Sequence, residues 1–223
     1  MRKETFTEGE YYHIYNRGVE KRNIFIAEKD YWRFIASLLL FQGKVPVSQI
    51  SRIVNDVQNL ELDKDIFKEV LKSRIVELVC FCLMPNHFHF ILKEIKEGGI
   101  SKFMMRLADS YTKFFNTKYE RTGHLFSGVF QSVHIDINKY LLYLSSYIHL
   151  NPSELRAWYG REIEYSWSSF QDFTGENRWG DFLNTPIILE QFKSKKEYNR
   201  FVKEADIKTE LDPFYTIELL SNP

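Results

Sequence analysis

Apolar positions along this chain follow two rhythms. In "KDYWRFIASLLLFQ" (29–42) they recur at three- and four-residue intervals with no breaker, which predicts a helix. "ISKFMMRLADSYTKFFNTKY" (100–119), entered after Gly98-Gly99, predicts a second. "INKYLLYLSSYIHLN" (137–151) predicts a third, which stops near Asn151 because the residue before Pro152 avoids the α region. Aromatic and β-branched runs predict strands at "YYHIYNRGV" (11–19), ending at Gly18, at "IVELVCFCLM" (75–84), at "HFHFILK" (87–93) and at "LFSGVFQSVHI" (125–135), with Gly128 as a bulge. Pro85-Asn86 is a turn, so 75–93 reads as a hairpin. In 43–74, Ile50, Ile53, Val57 and Leu60 suit a short amphipathic helix and "DIFKEVLKSR" another, and the stretch reads as an insertion on the main fold. "AWYGREIEYSWSSFQDF" is aromatic and irregular, and polar helical fragments run from there to the end.

The order strand, helix, strand–strand, helix, strand, helix predicts an α+β fold: a ferredoxin-like antiparallel sheet of four or five strands with helices packed on it. Residues 1–175 form the main domain with its helical insertion at about 43–74, and 176–223 a C-terminal helical extension. The chain has 223 residues, 44% of them hydrophobic, enough for a large core. Thirty Lys and Arg balance thirty Asp and Glu, which argues against sequence-blind coating of DNA and leaves room for a local basic patch. Cys80 and Cys82, expected on opposite faces of one strand, make no disulfide framework and suit a reducing, cytoplasmic setting. No signal peptide or membrane-length apolar run stands out, so a soluble protein without a membrane partner is expected.

The chemistry concentrates in "MPNHFHFIL" (84–92). Strand alternation puts His87, His89 and Ile91 on one face and Phe88, Phe90 and Leu92 on the other, the natural core face. The two imidazoles then stand about 7 Å apart at the Cα. They can converge on one metal ion, or simply be polar residues on a solvated face. On helix 137–151, Tyr147 and Asn151 are spaced i, i+4 and share a face, which Tyr143 continues. A tyrosine hydroxyl beside a metal-liganding amide suits a nucleophile; packing is the plainer reading of such a stripe.

"MPNHFHFIL", "RTGHLFSGVFQS", "YLLYLSSYIHLNP" and "YSWSSF", in that order, resemble the single-tyrosine HUH transposases of bacterial insertion sequences, the IS200-like transposases, in their REP-associated tyrosine transposase branch. The opening "YYHIYNRGVEKRNIF" fits the family's first strand, and the resemblance runs from about residue 10 to 172. It implies a metal-dependent enzyme that binds single-stranded or hairpin DNA and cuts and rejoins it. It implies Tyr147 as nucleophile, making a covalent phosphotyrosine, and His87, His89 and Asn151 as metal ligands. Ligand type alone suggests zinc; the resemblance implies Mg²⁺ or Mn²⁺. The length of 43–74 and the residues after about 175 depart from the family pattern.

Candidate DNA contacts are Lys102, Arg106, Lys113, Lys118, Arg121 and His124 on and after the second helix, and Arg17, Lys21 and Arg22 after the first strand, all interleaved with aromatics. His13 reads as an ordinary strand residue, and "YSWSSF" as a seal on the core edge. The tail after 175 favours a monomer over a homodimer, because it could brace the tyrosine helix in cis. Two other functions compete: a non-catalytic hairpin-binding descendant, and a zinc hydrolase using His87 and His89, which lacks a carboxylate base near the motif.

Overall fold

The fold was obtained as a computed structural model, which describes residues 5–44, 46, 50–61 and 64–205. Four strands, β1 (Tyr11–Arg17), β2 (Val76–Met84), β3 (His87–Glu94) and β4 (Gln131–Ile135), form one antiparallel sheet in the order β2-β3-β1-β4. This is the ferredoxin-like arrangement that the element order predicts. Helices α1 (Glu28–Leu40) and α4 (Gly99–Lys118) cover one face; α5 (Asn138–Leu150) covers the other.

The α1/α4 face is apolar because β1 and β3 turn Tyr12, Ile14, Phe88, Phe90 and Leu92 toward it, all buried. Phe34 of α1 meets Phe88 and Phe90, and stands edge-on to Tyr111 of α4 at 4.9 Å. Burying each such ring stabilises by about 1.5–3 kcal/mol before any pairing geometry is added. Glu94, at the end of β3, accepts from the Gly99 and Ile100 amides and so closes the start of α4. Gly99 has no alternative there: a Cβ would lie 2.2 Å from the Ile75 carbonyl oxygen.

In the stretch read as an insertion, residues 50–58 and 64–72 form α2 (Ile50–Gln58) and α3 (Lys64–Lys72), with Ile50, Ile53, Val57, Phe67 and Val70 buried. Part of 43–74 (45, 47–49, 62 and 63) and the end of the C-terminal extension (206–223) lie outside the described residues. The described part of the extension includes α7 (Pro186–Leu189) and α8 (Lys195–Glu204), and follows α6 (Phe170–Thr174). α8 packs on α5 through a buried polar network. His149 meets the Tyr198 hydroxyl at 2.7 Å and Ser169 Oγ at 2.9 Å, and Tyr198 donates to Ser145 Oγ. The tail thus braces α5 within the same chain. "YSWSSF" runs beside the free edge of β2: Leu83 N donates to Trp167 O, and Ser169 N to Phe81 O. It seals the sheet edge.

Three expectations fail. Cys80 and Cys82 share a face, opposite Ile91 and His89 in the register, because strand residues two apart point the same way. The strand expected over 125–135 begins only at Gln131; Gly128, at φ +89°, turns the chain into a loop. The α-helix does stop at Leu150, next to Asn151 as expected, but the expected cause fails: Asn151 adopts α-helical angles despite Pro152, and the chain continues as a 3₁₀ turn over Asn151–Glu154.

Candidate active site

β3 delivers its two histidines to the α5 face. His87 and His89 are both buried, and their rings stand 5.2 Å apart at 84° to each other. The register of β1 brings Arg17 opposite His87 and Tyr15 opposite His89. With Ser127 and Gln131 from the preceding loop and β4, these side chains line a cleft of about 180 Å³.

α5 closes the site. Tyr147 lies edge-on to His89, ring centres 5.5 Å apart at 86°. Asn151, one turn later, turns its amide Nδ2 back to the Tyr147 carbonyl at 2.9 Å, which leaves Oδ1 facing His87 Nε2 at 3.1 Å. These four side chains come together within the one chain described.

The protonation of His87 is informative. Its Nδ1 lies 2.7 Å from Asn86 Oδ1, so carboxamide oxygens flank both ring nitrogens. Burial, against the Asn151 bond, and the Arg17 charge hold its pKa below the usual histidine range. A neutral imidazole has a single N–H. If that proton serves the shorter contact, to Asn86, the Nε2 lone pair and Asn151 Oδ1 face each other with no proton between them. His89 Nε2 is likewise buried and has no hydrogen-bond partner among the described residues. Burial, with the charges of His13 and His87 adding to it, pushes the His89 pKa well down. In the tautomers that leave both Nε2 atoms without a proton, two lone pairs and an amide oxygen would suit a divalent cation held by His87, His89 and Asn151. Among the described residues no group of three or more His, Cys, Asp or Glu side chains could hold an ion, so a metal here relies on the amide.

Tyr147 is a reluctant acid. Burial, together with the charge of Glu154, raises its pKa to about 12, while its bond to Asn151 works the other way. The competing tyrosines sit elsewhere. Tyr111 is buried on the opposite face of the sheet and donates to the Ile24 carbonyl at 2.5 Å. Tyr140 is fully buried. Tyr143 packs edge-on against Phe201.

The candidate DNA contacts divide. Arg17 lines the cleft, and Lys21, Lys102, Lys113 and His124 are exposed. Arg22 pairs with Glu20 at 3.0 Å. Arg106 donates to the Gly43 carbonyl and stacks on Phe41, Lys118 is tied to buried Asp30 at 2.6 Å, and Arg121 donates to Asn116. These last three are engaged in bracing loops and helix ends, which sequence spacing does not reveal. Sequence reading also passed over Asn86, Ser127, Gln131 and His13; only the alternation His13-x-Tyr15-x-Arg17 hinted that β1 shares the histidine face.

Residues 46–151 match the family model described as "Transposase IS200 like". The matched segment starts inside the stretch read as an insertion, holds His87, His89, Tyr147 and Asn151, and leaves out β1. A solved structure, "Structure of the REP associates tyrosine transposase bound to a REP hairpin", superposes with a TM-score of 0.51 over 82% of this chain and 89% of that one, at 13% identity, a likeness of fold. No curated protein matches the sequence. Among the described residues no helix is long and apolar enough to cross a membrane. The sequence match over its histidine strand and tyrosine helix makes this chain similar to the IS200-like transposases, and the superposition shows a shared fold.

Proposed function

We propose that the protein is a single-tyrosine transposase of the REP-associated kind that binds hairpin single-stranded DNA and cuts and rejoins it through Tyr147. The observation that carries this reading is the meeting of Tyr147 with His89, and of Asn151 with His87, across the α5 face of the sheet. The structurally similar transposase is bound to a REP hairpin, which supports the class of DNA.

In the proposed reaction Tyr147 Oη attacks the scissile phosphorus, the P–O3′ bond breaks, and the phenol proton ends on the departing 3′-oxygen by way of solvent. Rejoining runs the same exchange in reverse with an incoming 3′-hydroxyl, so the bond energy is conserved in the phosphotyrosine. His87, His89 and Asn151 would hold a divalent ion, Mg²⁺ or Mn²⁺, which when bound would supply Lewis-acid neutralisation of the phosphoryl oxygens. His87 and His89 are kept neutral by burial and are ready to ligate without first losing a proton. Arg17 stands at the cleft to meet a phosphate oxygen. Free ionisation of Tyr147 at pH 7 would cost about 7 kcal/mol from its raised pKa, so its proton must leave as the bond forms. On the other side of the 126–130 loop, an apolar cavity of about 390 Å³ lined by Phe88, Met104, Met105, Phe126 and Val129 offers a place for an unstacked base. The zinc-hydrolase reading finds no support in a donor set that needs an amide and lacks a carboxylate.

The test is incubation of the protein with end-labelled hairpin DNA carrying single-stranded flanks, with Mn²⁺, followed by a denaturing gel. A protein-linked label that needs the metal is expected. Tight hairpin binding with no adduct on any flank sequence would point instead to a hairpin-binding protein without catalysis.

A further inference from the structure

One buried residue beside the site, His13, has no part in the reaction above. His13 of β1 stands diagonally across from His89 of β3, its Nε2 2.9 Å from His89 Nδ1. The two rings lie 5.1 Å apart at 18°, and Tyr15 flanks both. Both imidazoles are almost fully buried. The remaining nitrogen of each, His13 Nδ1 and His89 Nε2, is buried without a hydrogen-bond partner among the described residues.

Two neutral imidazoles joined this way share one bridging proton, which belongs to one ring or the other. If it belongs to His13 Nε2, then His89 carries its own proton on Nε2 and offers the cleft an N–H. If it belongs to His89 Nδ1, the Nε2 lone pair faces the cleft, and His13 keeps its proton on Nδ1. Each arrangement leaves one N–H and one lone pair unpartnered, so the pair by itself does not choose strongly between them. A cation at His89 Nε2 is compatible only with the second.

We propose that His13 is a positioning residue for His89: it accepts the Nδ1–H of His89, fixes the ring's rotation and holds the Nε2 lone pair toward the metal position. This rests on the reading of His87, His89 and Asn151 as metal ligands. A ligating histidine commonly donates its second N–H to a carboxylate or carbonyl. An imidazole in that role orients the ring without adding negative charge beside a cleft meant for a phosphodiester, where an anion would repel the substrate. His13 lies outside the matched segment 46–151, so the strand pairing, and not the family match, brings it to the site.

The test has two arms. In the first, ¹⁵N-histidine NMR of the full chain loaded with diamagnetic Mg²⁺ reads the protonation of each ring. The expected result is a proton bonded to His89 Nδ1, with a coupling across the hydrogen bond to His13 Nε2. A proton bonded to His89 Nε2, or no coupling between the rings, overturns the proposal. In the second arm, calorimetry measures Mn²⁺ binding to the DNA-free protein. His13→Phe keeps the ring and removes the acceptor, and should weaken Mn²⁺ about 10- to 100-fold. His13→Gln restores an acceptor carbonyl and should recover most of that loss, which a merely structural role for His13 would not predict. Wild-type affinity in His13→Phe, or equal losses in both variants, overturns the proposal. If His13→Phe does not fold, the NMR arm and His13→Gln decide. Wild-type protein that binds no Mn²⁺ overturns the metal reading and this inference together, whereas intact wild-type binding with an insensitive His13→Phe overturns this inference alone.

Discussion

β3 shows two kinds of surface on one strand. Toward α1 and α4 it turns Phe88, Phe90 and Leu92 into a packed aromatic core; toward α5 it turns His87 and His89, which meet Asn151, Tyr147 and His13. Both faces are buried, yet they differ in how well they are satisfied. The apolar face has no polar groups to partner. The histidine face leaves His13 Nδ1 and His89 Nε2 without partners among the described residues, at a cost of about 1–3 kcal/mol for each buried polar group. A fold retains such a cost where the unpaired atoms have something else to bind. The contrast separates the residues that hold the sheet together from those proposed to serve the chemistry.

The comparison breaks most sharply at Tyr147. Tyr147→Phe removes one oxygen and almost no volume, so the variant should fold and bind hairpin DNA as before while forming no covalent adduct. A normal adduct yield from it, or loss of the adduct in Tyr143→Phe or Tyr111→Phe instead, would show that the wrong hydroxyl was chosen.

Next in size is the apolar face. Phe90→Ala should destabilise the fold by about 3–5 kcal/mol, because its ring is fully enclosed between α1 and the sheet. His89→Leu should do the opposite of what its depth suggests. It removes a buried unpaired nitrogen but also leaves His13 Nε2 without its partner, at a cost of about 1–3 kcal/mol, so denaturant unfolding should move less than for Phe90→Ala, while Mn²⁺ binding and cleavage disappear. Equal destabilisation by the two substitutions would erase the distinction between the faces.

A third measurement titrates the buried histidines. Burial holds His13 and His149 near a pKa of about 3, whereas the unfolded chain takes up these protons near 6.5. Below that pH the unfolded state binds more protons, so stability falls as pH drops from about 6.5 toward 3 and is insensitive to these groups above it. Each contributes at most about 1.4 kcal/mol per pH unit, and about 2–4 °C of melting temperature follows each kcal/mol in a chain of this size. A melting temperature that stays flat between pH 6.5 and 4 contradicts this.

The smallest effects belong to the surface. Lys102→Ala and Lys113→Ala should each lower the salt dependence of single-strand binding by about 0.7 in the logarithmic slope, with stability unchanged. Lys118→Ala should instead destabilise the protein, since it strips the cation from Asp30, which is fully buried. If Lys118→Ala changes the salt slope and leaves stability intact, the division of cations into exposed and engaged is wrong.

Much of this was legible in the sequence. The alternation in "HFHFIL" fixes which residues share a face, whatever the strand packs against, because the side-chain period is set by the backbone. The i, i+4 spacing fixes Tyr147 beside Asn151 for the same kind of reason, and helix and strand rhythms were enough for the ferredoxin-like order. What the sequence could not decide were contacts made across the sheet and between layers. Nothing in "YYHIYNR" says that His13 meets His89, since that depends on the register of β1 against β3, seventy-six residues away. Nothing in the spacing of Arg106, Lys118 and Arg121 says that they are held by Gly43, Asp30 and Asn116. Local periodicity comes from covalent geometry and is written in every segment; which partner a charged or polar side chain meets depends on long-range packing, and only the tertiary structure decided it.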